Sequence, residues 1–164
     1  NAFKDSPYLQ MPFISDVKDF KDALSWLKSE MDRRKNLFVE TNTKHISQYN
    51  QLQGVEKMPR LVFIIDEYSI YQEALGEEFD MWIKRTLAVC RFMGIHIILS
   101  SNKTTTSDVS PAIVANFNSF VEMKMNDENY VKFSGTSNAL YLTGCGDLAY
   151  YDSNYRIRAQ GALC

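Results

Sequence analysis

The run Leu61-Val62-Phe63-Ile64-Ile65 passes without a break into Asp66-Glu67. Five successive apolar residues, with Val and Ile frequent, predict a strand over 61–66 that is buried on both faces, as in a parallel sheet covered by helices. A second such run, Ile95 to Leu99, ends in Ser100, Ser101 and Asn102. An acid at the end of a buried strand is costly unless something offsets it. In open α/β sheets ligands sit beyond the carboxyl ends of the strands, where both Asp66 and the Ser100–Asn102 turn fall. The two runs therefore constrain the fold to layered α/β and mark one edge as the candidate site.

The segments around them fit this frame. Phe20, Ala23, Leu24, Leu27, Met31 and Phe38 recur at helical spacing and predict one amphipathic helix over 17–38, started at Ser15-Asp16. Lys18, Lys21, Asp22, Lys28, Asp32 and Lys35 fall on its outer side. A short helix is expected near His45–Tyr49. Phe79, Trp82, Ile83, Leu87, Cys90 and Met93 predict a helix over 77–93, stopped by Gly94. Another short helix is expected after Pro111, and strands at 119–125, 147–151 and 155–160. Residues 1–15 read as an irregular lead-in with Pro7 and Pro12; Asn1-Ala2 matches the tail of a cloning scar and carries no structural weight. Residues 16–164 then form one domain, a length that suits a single core.

Composition narrows the chemistry. The formal net charge is −2, so no global basic field points to nucleic acid. Three scattered cysteines (Cys90, Cys145, Cys164) make no disulfide framework and suit a reducing compartment. His45 and His96 stand apart and no CxxC pair occurs, which argues against zinc. No apolar run is long enough to span a bilayer, and no signal-peptide pattern is present.

An apolar strand ending in Asp-Glu is the Walker B pattern of ATPases: the Asp holds magnesium and the Glu orients the attacking water. The bland reading is two acids capping a turn toward water. A Walker A loop, GxxxxGK[ST], should accompany the motif, yet none of the seven glycines precedes a lysine. The nearest imitation, Gly144-Cys145-Gly146-Asp147, ends in an acid that would repel phosphate. Either the chain is not an ATPase, or it is the second half of one, starting mid-fold.

Read together, WLKSEMDRRKNLF (26–38), ISQYN (46–50), MPRLVFIIDEY (58–68), CRFMGIHIILSSNK (90–103), IVANFNSFVEMKM (113–125), LTGCGDLAYY (142–151) and RIRAQGA (156–162) resemble the FtsK/SpoIIIE family of hexameric motor ATPases, including its EccC/EssC type VII secretion members. The resemblance covers nearly the whole chain and begins just after that family's Walker A loop. It implies the C-terminal part of a RecA-like P-loop NTPase domain, without the Walker A strand and loop. It further implies ATP and Mg2+ as cofactors, Asp66 on the metal and Glu67 as catalytic base. Asn102 matches a Gln that senses the γ-phosphate, and Lys103 an Arg, in an ATQRP-like motif that here reads SSNKT. Asn is one methylene shorter than Gln, and Lys lacks the bidentate fork of Arg. A DSR-like segment is replaced by Asp127-Glu128-Asn129, while Gly144, Gly146 and Asp147 of a GxGD turn are intact.

Such motors hydrolyse ATP between subunits, with an arginine supplied by the neighbour. Arg85 and Arg91 are the candidates on the 77–93 helix, Arg33 and Arg34 on the first. The resemblance implies a cytoplasmic domain that self-associates to a hexamer in a parent anchored at the inner face of the cell membrane. The cargo is double-stranded DNA in partitioning and conjugative relatives, or protein substrates in type VII secretion. The loop 103–110, KTTTSDVS, is either a pore contact for DNA or a solvated surface loop. A degenerate scaffold stays open as well, and so does an unrelated enzyme using the two acids, though no GxSxG nucleophile accompanies them. The 164 residues by themselves are expected to be inactive, because half of the phosphate site is missing.

Overall fold

A computed structural model describes residues 6–102, 109–125 and 138–162. Internal contacts divide the chain into two compact units, residues 1–61 with 92–95, and residues 62–91 with 96–164.

In the first unit, residues 6–15 form no helix or strand. Helix α1 runs Val17–Glu40, two residues past its expected end. Asp16 caps it, its Oδ1 accepting the Asp19 N–H at 2.8 Å. Phe20, Ala23, Leu24, Leu27 and Phe38 are buried, and the six charged residues expected outside are exposed. Helix α2, Ile46–Tyr49, is a single turn whose Ile46 and Tyr49 pack with Phe38 and Met58 into a small core. Gly94 has φ +72°, and a Cβ there would lie 2.4 Å from the Ile46 Cδ1. Only glycine lets the backbone pass this close to Ile46 with a left-handed φ.

The second unit holds two sheets. Strands β1 (Leu61–Ile65) and β2 (Ile95–Leu99) pair with each other; their first residues, Leu61 and Ile95, belong to the first unit. Leu61 N–H bonds Gly94 O, and Ser100 N–H bonds Ile65 O, so both strands run the same way. Between them come α3 (Tyr68–Leu75) and α4 (Glu77–Val89), as a parallel crossover requires. Phe63 meets Trp82 of α4 with ring centroids 6.4 Å apart, and Ile65, Ile83 and Ile95 are almost fully buried.

Three expectations change here. The strands are not buried on both faces: Val62, Ile64 and Ile98 are 59%, 66% and 53% exposed. The run is apolar throughout, and α4 meets it on the Phe63 side. The second helix ends at Val89, not 93, and Gly94 is not its cap. Cys90 takes the cap position, and the following turn presents the Phe92 and Met93 carbonyls to Ile46 and Arg34. Helix α3 was not anticipated, because it is short and starts from Glu67 without a side-chain cap. Its Tyr68 is fully buried, stacks on Phe79 and donates its hydroxyl to Asp80. Burial first, and the Asp80 carboxylate next, push that phenol well above its usual range.

After the one-turn helix α5 (Pro111–Val114), strands β3 (Ser119–Met123), β4 (Asp147–Asp152) and β5 (Arg156–Gln160) form an antiparallel sheet in the order β3-β4-β5. Val121 pairs with Tyr150 and Tyr151 with Arg156. The β4–β5 hairpin is closed by Asp152, whose Oδ1 accepts the Asn154 and Tyr155 N–H groups.

The GxGD segment makes the turn into β4. Gly144, Cys145 and Gly146 all have positive φ (+87°, +52° and +85°). Asp147 is buried and accepts two bonds from Arg158, at 2.9 and 2.6 Å, and two from Thr143. The Arg158 guanidinium chiefly, then the Thr143 amide, hold this carboxyl well below the usual carboxylate range. A depressed folded-state pKa stabilises the protein above the unfolded value, and that contribution is lost as pH falls. Stability of the wild-type chain should therefore drop between about pH 5 and pH 2. In Asp147→Asn that slope should be shallower, keeping the share of Asp152, whose carboxyl is also held low. Urea unfolding at stepped pH measures both slopes; equal slopes would show that Asp147 is not a source of the acid sensitivity.

Candidate functional site

Asp66 and Glu67 emerge at the carboxyl end of β1, within the second unit. Asp66 is exposed and Glu67 half-buried. Glu67 has φ 61° and ψ 78°, the left-handed region that a long side chain avoids. That backbone turns the chain from strand into α3 within one residue, and it throws the two carboxylates onto different paths. The Glu67 carboxylate accepts the Ser69 hydroxyl at 2.6 Å and the Asn102 N–H at 3.1 Å. The Asp66 Oδ1 accepts the Ser100 hydroxyl at 2.7 Å. Ser100 and Asn102 follow directly from β2, so the parallel pairing of β1 and β2 is what brings these residues together.

The structure thus joins three of the residues singled out in the sequence, Asp66, Glu67 and Asn102. Asn102 enters through its main chain, not its amide side chain. Lys103, most of the 103–110 loop and Asp127-Glu128-Asn129 lie outside the described residues. Arg85 and Arg91 are exposed. Arg34 is not available as a trans-acting cation: it is 1% exposed and donates to Glu30, Met93 O and Pro59 O. Arg33 is held by Glu30 through two bonds, at 2.7 and 2.8 Å. Ser69 was missed as a site residue; the Ser100–Asn102 turn was placed at this edge, but without Ser100 as a partner of the acids. The sequence signal for Ser100 was its place directly after the second apolar run; Ser69 lies beyond Asp66-Glu67-Tyr68 and nothing local marked it.

Among the described residues no group of three or more His, Cys, Asp and Glu is arranged to hold a metal. Magnesium takes one or two carboxylates plus nucleotide phosphates and keeps its waters. Asp66 supplies a hard, exposed carboxylate oxygen of the right kind, and it fits the ion in that role.

Solved structures share this arrangement of elements. The conjugation coupling protein TcpA of pCW3, in a monomer form with ATPγS, superposes with a TM-score of 0.78 at 18% identity, over 90% of this chain and 45% of that one. The cytoplasmic domain of the type VII secretion ATPase EccC from Thermomonospora curvata gives 0.78 at 17% identity, over 92% of this chain and 19% of that one. The fold is that of a partial RecA-like domain of the P-loop NTPase class. The FtsK/SpoIIIE family profile matches residues 1–137 of the 164. The chain belongs to the FtsK/SpoIIIE family. A relative named DNA translocase FtsK, from Clostridium tetani, is 30% identical over 99% of this chain. The chain spans about a quarter of that relative's length (23%).

Proposed function

We propose that this chain is the Walker B half of the ATP site of a translocating motor that moves double-stranded DNA. The observation that carries it is the acid pair at the end of β1, with the Glu67 carboxylate fixed by Ser69 and the Asn102 amide. In this reading Glu67 takes a proton from a water whose oxygen attacks the γ-phosphorus, and the bond to the ADP oxygen breaks. Asp66 holds magnesium, which when bound offsets phosphate charge. Asn102 would sense the γ-phosphate, and Arg85 or Arg91 would reach the site of a neighbouring subunit in a ring. The match to a relative named DNA translocase supports DNA as the cargo.

A second reading, a motor for secreted proteins, is favoured by the structural likeness to EccC. Among the described residues no helix is long and apolar enough to cross a membrane. The test is the ATPase rate of a version extended N-terminally through a phosphate-binding loop, with and without double-stranded DNA. Strong stimulation by DNA is the expected result. Hydrolysis indifferent to DNA would move the assignment to protein cargo, and no hydrolysis at all would identify a scaffold.

A further inference from the structure

We propose that Ser100 is a positioning residue for both acids, a role that rests on reading Asp66 and Glu67 as the hydrolytic pair. Ser100 is the first residue after β2, and each of its polar groups is bonded to segment 65–68. Its N–H donates to Ile65 O at 3.0 Å, and its carbonyl accepts the Tyr68 N–H at 2.8 Å. Its hydroxyl donates to Asp66 Oδ1 at 2.7 Å and accepts the Glu67 N–H at 2.9 Å. The direction of these last two bonds is forced: the amide can only donate, so the single hydroxyl proton is left for the carboxylate.

The two main-chain bonds would form with any residue at position 100. The hydroxyl is what only Ser or Thr supplies. It bridges an acid side chain to the next peptide, that of Glu67, whose backbone is left-handed (φ 61°). A left-handed Glu persists only where its surroundings over-determine it. The hydroxyl is one of those surroundings, and it ties the Asp66 carboxylate to the Glu67 peptide, so neither acid moves alone. Such outer partners orient metal-binding carboxylates, and their loss commonly lowers metal affinity or activity by about 10- to 100-fold.

The experiment compares Ser100→Ala, Ser100→Thr and Glu67→Gln in the extended, ATP-hydrolysing protein, and amide hydrogen exchange in the 164-residue chain. Ser100→Ala should lower kcat about 10-fold and raise the half-saturating magnesium concentration, with KM for ATP nearly unchanged. Ser100→Thr should restore most of the rate. Exchange in Ser100→Ala should speed up at the Glu67 amide, but not at the Tyr68 amide, whose acceptor is the Ser100 carbonyl. A normal rate and normal Glu67 exchange in Ser100→Ala, beside an inactive Glu67→Gln, would overturn this inference and leave the site reading intact. A rate loss that Thr does not rescue, with uniformly faster exchange, would reduce Ser100 to a structural residue and overturn it too. An active Glu67→Gln would overturn the site reading and this inference together.

Discussion

Glu67→Gln in the extended protein is expected to cut ATP turnover at least about 100-fold, the low end of what a positioned general base contributes. Nucleotide affinity should change little, because the base acts on water and not on the bound phosphates. A glutamine oxygen placed at the Oε1 position keeps the Ser69 hydroxyl at 2.6 Å, with the Asn102 N–H only at 3.4 Å. Its NH2 takes the place of Oε2, which accepts the Asn102 N–H at 3.1 Å in the wild type. The substitution therefore loses proton affinity together with the shorter Asn102 bond. Steady-state phosphate release gives the rate, and titration with a fluorescent ATP analogue gives the affinity. A rate near normal would remove Glu67 as the base and leave the acids as a solvated turn.

That pair was legible because the apolar run points straight at it. The means by which it is held was not. Ser69 and Ser100 reach the acids through hydroxyls, and Ser100 stands 34 residues from Asp66 in the chain. Nothing local in the sequence reports that contact, which exists only once β1 and β2 pair. Asn102 shows the converse. Its departure from the expected Gln drew the eye to the side chain, yet the bond to Glu67 comes from the main-chain amide, which almost any residue offers. For the same reason α1 was read to within two residues of its end while α3 was missed. Helix α1 repeats its apolar stripe over about five turns; α3 has two turns and begins at a left-handed glutamate. The exposure of Val62, Ile64 and Ile98 could not be read either, since apolarity says that a residue can be covered, not that it is.

Arg34 was named from the sequence as a candidate trans-acting arginine, although the signal against this was present. It lies seven residues after Leu27 and four before Phe38, inside the apolar stripe of α1. A charge in a buried stripe needs partners, and the structure supplies them: Glu30 Oε1 at 2.6 Å, Met93 O at 2.7 Å and Pro59 O at 2.9 Å. One side chain thus ties α1 to the segments that lead into β1 and β2. Arg34→Ala should lower unfolding free energy by about 3–5 kcal/mol, since it leaves two main-chain carbonyls without their donor and takes from Glu30 one of its two arginine partners. Arg34→Lys should recover only part, because one ammonium cannot reproduce the planar fork. Arg33→Ala is the control: its side chain is 53% exposed, and an exposed pair contributes less than about 1 kcal/mol. Urea unfolding of the three variants ranks them. Equal, small losses for Arg33→Ala and Arg34→Ala would mean that the buried bonds contribute no more than a surface pair. A large loss only at Arg34 would confirm it as a staple of the first unit.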